Sequence, residues 1–137
     1  MSVHFSSKTD LWSTPQYFFD KLNDEFNFTL DPCATAENAK CDKFYTKEDD
    51  GLSKDWSDER VFMNPPYGRE IGRWVEKARN SGAQVVCCLV PARTDTRWWH
   101  NSIIGGGAEV RFIKGRLKFG GSKENAPFPS AVIIFRG

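Results

Sequence analysis

Histidine is scarce in this chain, paired cysteines are missing, and no apolar stretch is long enough to cross a bilayer. Each shortage removes a class of function. His4 and His100 are the only histidines, and Cys33, Cys41, Cys87 and Cys88 form neither a CxxC pair nor a zinc-like spacing. Neither a metal site nor a disulfide framework is therefore expected, and Cys87 and Cys88, inside an apolar run, read as core. The lack of a membrane span and of a signal-peptide pattern points to a cytoplasmic protein. No repeat and no linker breaks the 137 residues. One domain over 1–137 is expected, led by a flexible polar arm at 1–12.

Aromatic residues, at 14%, are plentiful enough to serve stacking as well as packing. The net charge of +1 hides an asymmetry. Residues 1–60 hold 7 basic and 13 acidic side chains, a net of −6, and residues 61–137 hold 12 and 5, a net of +7. Between Arg111 and Lys123 there are five basic residues and no acidic one. A basic half suggests a polyanionic partner, although a solvated charged face would look the same from charge alone.

Ser13-Thr14-Pro15-Gln16 reads as a helix start, with a hydroxyl cap, an early proline and Gln16 three residues after Ser13. Phe18, Leu22 and Phe26 then recur at helical spacing, predicting a helix over 15–26. Residues 28–30 form a short strand that stops at Asp31-Pro32-Cys33-Ala34, and 43–46 a second. Residues 61–63 are a buried strand. Ile71, Trp74, Val75 and Ala78 mark an amphipathic helix over 70–80, ended by Ser81-Gly82. The apolar run 85–90 is the best central strand. A helix over 96–104 stops at Gly105-Gly106-Gly107. Within it Trp98 and Trp99 diverge by about 100°, so one can be core and the other exposed. Strands at 109–114 and 116–119 flank Gly115, and a loop at 120–129 leads to a last buried strand at 130–135. The alternation of strand and helix predicts an α/β fold with a mostly parallel sheet, its closing strands antiparallel.

Asn64-Pro65-Pro66-Tyr67 carries the most chemistry. Two prolines remove two backbone N–H donors while every carbonyl stays an acceptor. Residues before proline avoid the helical region, so Asn64 and Pro65 are extended. The Asn64 side-chain oxygen and the Pro65 carbonyl can then point at one planar NH2, with Tyr67 stacked on the ring that bears it. Accepting both hydrogens of an aromatic amine localises the nitrogen lone pair and lets it attack an electrophilic carbon without a strong base. Asn-Pro and Pro-Pro are also ordinary turn signals. Here, however, they lie between a strand and an amphipathic helix, at the carboxyl end of the strand, where open α/β sheets bind ligands.

Asn64 to Tyr67 resembles the Asp/Asn/Ser-Pro-Pro-Tyr/Phe motif of amino-group methyltransferases. The chain as a whole is similar to the small phage-type, Dam-like DNA N6-adenine methyltransferases. Trp12-Ser13-Thr14-Pro15, Leu30 to Ala34, Asp50-Gly51-Leu52 with Trp56, Asn64 to Gly68, Pro91 to Asp95 and Gly115-Arg116-Leu117 carry the likeness, which spans about 12–135. Each motif is weak alone; their order and spacing are more specific. The resemblance implies the S-adenosylmethionine-dependent, Rossmann-like methyltransferase fold: a mostly parallel sheet flanked by helices, with an antiparallel C-terminal strand. It implies S-adenosylmethionine as cofactor and double-stranded, adenine-containing DNA as partner. By likeness, Asp31, Pro32, Cys33 and Ala34 lie at the cofactor's methionine part, Thr14 and Pro15 near its carboxylate, and Asp50 at its adenine amino group. Asn64, Pro65, Pro66 and Tyr67 map to the catalytic loop.

The common glycine-rich FxGxG cofactor loop is absent, with Asp31 to Ala34 in its place. Glu37 and Asp42 are the candidates for a ribose-binding carboxylate. Several of these residues also have plainer readings. Thr14 suits a helix cap, Asp31 an Asx-turn and Asp50-Gly51 a tight turn, and Trp74 is expected in the core. A base buried in a duplex must be flipped to reach such a pocket. Arg69, Arg73, Arg93, Arg116 and Lys118 are candidate backbone contacts, Arg93 being equally able to pair with Asp95. With no separate recognition domain, base readout falls to loops such as 114–129. The four motif residues alone do not choose among adenine, cytosine N4, an RNA base or a glutamine amide. A non-catalytic nucleic-acid-binding domain would fit the charge as well.

Overall fold

The computed structural model describes residues 12–120 and 124–137; all of the expected arm at 1–12 except Trp12 lies outside them. Helix α1 (Gln16–Phe26) leads to a sheet built from β1 (Arg60–Met63), β2 (Val85–Pro91), β3 (Glu109–Phe112) and β4 (Ser130–Arg136). Helix α2 (Ile71–Asn80) joins β1 to β2, and a π-helix (Trp99–Ile104) follows β2. The strand order is β1-β2-β4-β3. β1 is parallel to β2, while β4 is antiparallel to both β2 and β3. Three strands therefore run alike and β4 alone opposes them, wedged between β2 and β3, as the mostly parallel expectation with an antiparallel C-terminal strand requires.

All seven residues of β2 are buried, which explains their unbroken apolar run: both faces are covered and both edges paired. Each such side chain contributes roughly 1.5–3 kcal/mol on burial. The register Phe62–Cys87–Ile134–Glu109 turns one face toward α1, where the Phe19 and Phe62 rings meet edge-on at 5.1 Å. The other face is covered by α2, through Trp74, Val75 and Ala78, and by Trp99, which stacks on Phe112. Trp99 is the core member of its pair and Trp98 is half-buried.

Beyond β1 the pairing continues as single bridges, Leu30 to Val61 and Asp31 to Phe44, both parallel. Here the expected strands at 28–30 and 43–46 are reduced to a few bonds: Phe62 N–H to Leu30 O, Asp31 N–H to Lys43 O and Tyr45 N–H to Asp31 O.

The structure corrects three expectations. Residues 116–119 are not a strand. Gly115, at φ +77°, turns the chain out of the sheet, and the next backbone bonds go to loop partners, Ala126 N–H to Leu117 O and Gly120 N–H to Ser13 O. The helix expected at 96–104 is present but wound mainly as a π-helix, closed by Gly105 N–H to His100 O. The capping box at Ser13 and Gln16 does not form: α1 has no side-chain cap, and Gln16 donates to Asp20 instead.

At the α1-facing edge of the sheet Arg111 donates to both Glu25 oxygens, at 2.7 and 2.8 Å, and to Glu109, which also accepts from Arg136. Hydrogen bonding to arginine pulls the Glu25 and Glu109 carboxyls below the ordinary glutamate value. Carboxyls depressed in the folded state contribute stability above their unfolded pKa and lose it as pH falls through the folded one. The melting temperature is expected to drop on acidification below about pH 4.5, and Arg111→Leu to flatten that part of a melting-temperature-against-pH curve.

Candidate active site

The chain runs outward from Asp31 to Phe44, then returns to the opposite side of Leu30 to form β1. The order of the sheet reverses between residue 31 and β1, and in open α/β sheets the crevice at such a reversal, beyond the carboxyl ends of the strands, is where ligands bind. A cleft lies there, lined among others by Ser13, Thr14, Asp31, Cys33, Asn38 and Asn64. A larger hollow, lined by Arg79, Gly106, Glu109 and Arg136, sits at the amino ends of β1, β2 and β3, away from this reversal.

Asn64 enters the cleft directly after β1. Its Nδ2 donates to the Trp12 carbonyl and, at 2.9 Å, to the Thr14 hydroxyl. A carbonyl can only accept, so this contact assigns the nitrogen to the Trp12 side of the amide. The Oδ1 atom is then left buried with no partner among the described residues. Buried acceptors are nearly always satisfied, and an orphan signals a missing donor. Thr14, 5% exposed, thus spends its hydroxyl on the Asn64 amide rather than on a helix cap.

Asp31 faces the same cleft and is 4% exposed. Its two oxygens accept from the backbone N–H groups of Cys33 (3.3 Å) and Lys40 (3.0 Å). Burial pushes its pKa up, and these two bonds pull it only part of the way back. A buried carboxylate so placed favours a cation arriving in the cleft. Cys33 beside it has its thiol pushed well up by burial and by Asp31, so it lines the cleft as a neutral group. Pro32, Ala34 and Pro15 are buried behind. Gly51 explains how close this loop is held: a Cβ there would sit 2.3 Å from the Pro32 carbonyl oxygen.

A family model described as DNA N-6-adenine-methyltransferase (Dam) matches residues 2–135. The chain belongs to this family. A DNA N-6-adenine-methyltransferase of Haemophilus phage HP1 is 30% identical over 118 residues, covering 82% of this chain and 68% of that protein. One from Escherichia phage T1 is 33% identical over 95 residues, covering 66% and 39%. A solved structure from Pyrococcus horikoshii, provisionally described as an RNA methyltransferase, superposes with a TM-score of 0.50 at 19% identity over 69% of this chain and half of its own; that likeness concerns the fold.

Within this Dam-family chain the other predicted site residues divide. Asp50, exposed and left-handed at φ 57°, leads into Gly51 beside Pro32 but does not line the cleft. Glu37 and Asp42 are exposed. Pro65 is buried and Pro66 half-buried. Tyr67 departs most from expectation: it is 3% exposed, burial drives its phenol pKa well up, and its hydroxyl donates to the Leu89 carbonyl at 2.9 Å. It is packed as core rather than offered as a platform. Arg69, Arg73, Arg116 and Lys118 are exposed, with Arg73 near Glu70 at 3.7 Å.

Arg93 neither points wholly to solvent nor pairs with Asp95; its Nη1 donates to the Tyr67 carbonyl at 3.1 Å. The exit of β2 thereby holds the turn after β1, a link that no motif announced. Arg93→Ala is expected to lower kcat about tenfold through loss of loop positioning, with the KM for DNA changed far less. A rise in KM with kcat unchanged would return Arg93 to a phosphate contact. Other participants that motif reading missed are the Trp12 carbonyl, Asn38 and Lys40, which no local pattern distinguishes from ordinary loop residues.

Proposed function

We propose that this protein transfers a methyl group from S-adenosylmethionine to N6 of adenine in DNA, using Asn64 as the principal acceptor for the amino group. The observation that carries the reading is the Asn64 amide, with its nitrogen tethered twice and its oxygen buried without a partner. An amide that must turn to meet its substrate spends reorganisation energy in the transition state; one fixed beforehand does not. Asn64 Oδ1 and the Pro65 carbonyl accept the two N6 hydrogens and concentrate the lone pair on nitrogen.

The cleft suits the cofactor chemically. Asp31, buried and short of positive partners, offsets a cationic group of the cofactor, and Thr14 and Cys33 line the same space. When bound there, S-adenosylmethionine supplies an electrophilic methyl on a positively charged sulfur. The exposed Arg69, Arg73, Arg116 and Lys118 engage phosphates, so binding should weaken steeply with salt. The phage sources of two relatives favour a bacterial cytoplasm as the place of action.

The test is transfer from radiolabelled S-adenosylmethionine to duplex DNA, followed by nucleoside digestion. Labelled N6-methyl-2′-deoxyadenosine is the expected product. Label on cytosine, on RNA or on protein, or none at all, would overturn the assignment.

A further inference from the structure

β3 ends the sheet. Its inner edge is paired with β4, and its outer edge has no partner strand among the described residues. Continuing that register, Ile113 stands opposite Ser130 and donates to its carbonyl at 3.1 Å. Hydrogen-bonded positions alternate along an antiparallel pair. Glu109, Arg111 and Ile113 therefore spend their backbone groups on β4, while Val110 and Phe112 turn theirs outward. Open edges are commonly blunted by a proline, a bulge or a lysine. Glu109–Phe112 has neither proline nor lysine, and its pairing with β4 is regular.

The two faces of this edge differ in chemistry. Phe112 is 67% exposed although its ring stacks on Trp99 at 6.4 Å. The π-helix that carries Trp99 also carries Ile104, 59% exposed. These are two of the three large apolar side chains left exposed among the described residues. Val110 shares the Phe112 face, because side chains alternate along a strand. The other face carries Glu109 and Arg111, of opposite charge and two residues apart. With Glu25 and Arg136 they form a cluster of two carboxylates and two guanidiniums, neutral as a whole.

We infer that this edge is an interface between two copies of the chain, in which β3 pairs antiparallel with β3 of the partner copy across a twofold axis at Val110. Charge and backbone direction select that axis. An axis at Glu109 or at Arg111 sets that charge opposite its own copy, which is destabilising. An axis at Phe112 carries the pairing onto Lys114, already in the bend at Gly115. The axis at Val110 sets Glu109 opposite Arg111 of the partner copy and Arg111 opposite its Glu109. The outward backbone groups of the two Val110 residues then meet each other. Phe112 comes to lie opposite Ala108 of the partner copy, next to Gly107, where a side chain would find nothing within 4 Å. Two four-stranded sheets join into one, with their clefts opening at opposite ends. No residue named as lining the cleft lies in β3, so the inference stands apart from the methyl-transfer reading.

The test is sedimentation velocity of the full chain across the micromolar range, where a reversible dimer is expected. A monomer throughout overturns the inference. Val110→Pro removes the outward N–H and no bond to β4, as proline on an edge strand allows. It should raise the dimer dissociation constant about tenfold or more, through loss of both bonds at the axis. A dimer with an unaltered constant in that variant overturns the inference. Cross-linking under mild oxidation reads the register without depending on how well the proline variant folds. Disulfides need Cα atoms about 4.4–6.8 Å apart. A hydrogen-bonded pair at the axis lies at about 5.5 Å, and the two Arg111 positions, one diagonal step apart, at about 7–8 Å. Val110→Cys should therefore give a covalent dimer. Arg111→Cys should give no more than the unaltered chain, which controls for the four native cysteines. Any other pattern, whether cross-linking at 111 or at neither position, overturns the inference.

Discussion

Asn64→Ala is expected to cut methyl transfer by about 10²- to 10³-fold, the usual effect of removing one preorganised polar partner from a reacting group, while the affinity for S-adenosylmethionine stays within a few-fold of the original. The alanine removes the orphan Oδ1 and also the donor shared by the Trp12 carbonyl and the Thr14 hydroxyl. A modest stability loss, about 1–3 kcal/mol for polar groups left unpaired, should accompany it. Thr14→Val separates the two effects. It keeps Oδ1 but removes one of the two tethers, so kcat should fall by about tenfold as the amide loses its fixed direction. Single-turnover rates with calorimetric cofactor binding decide the matter. A fully active Asn64→Ala would remove the catalytic role, and a Thr14→Val that lost only stability would return Thr14 to a structural part.

Asp31→Asn should weaken cofactor binding by roughly 30-fold or more, as expected when a buried charge loses its counter-charge. Its effect on stability should be small, because two terms oppose each other. The amide cannot accept from both Cys33 and Lys40 as the carboxylate does, but the cost of burying a charge disappears. The pH dependence has a definite sign. Burial raises the Asp31 pKa above its ordinary 3.8, so the folded chain holds this proton more tightly than the unfolded one. The group therefore costs the folded state stability as pH rises from the ordinary value through the raised one. A cation bound in the cleft favours the ionised form. Cofactor affinity should accordingly weaken as pH falls through that same window, and the asparagine variant should show no such slope. A wild-type binding curve flat with pH would place the cofactor's charge elsewhere.

The sheet was legible because its signals are local and repetitive. The run from Val85 to Val90 needs both faces buried, and Ile71, Trp74, Val75 and Ala78 need a helix. Residues 116–119 misled because Leu117 and Phe119 alternate inward like a strand, being 5% and 3% exposed, while their partners are loop residues and aromatic rings. Asn64 and Asp31, each singled out by one local motif, do line one cleft of the candidate site. The candidate site's geometry was illegible where partners converge from far away in sequence. Trp12 reaches Asn64 across 52 positions, and Arg93 reaches Tyr67 across 26. The burial of Tyr67 was not readable, because an aromatic residue in a loop motif reads the same whether its ring faces a ligand or fills the core.

β4 is made after its neighbours, yet it lies between them. Until residues 130–136 leave the ribosome, β2 has one edge without a partner and β3 has no strand to pair with among the described residues. The open edge of β2 is the most apolar strand in the chain, a poor segment to leave waiting in a crowded cell. The central pairing of the sheet is therefore made later than that of β1 with β2. A slow codon or a premature stop shortly before Ser130 would leave a nascent chain that has every residue lining the cleft but lacks the strand that completes the sheet.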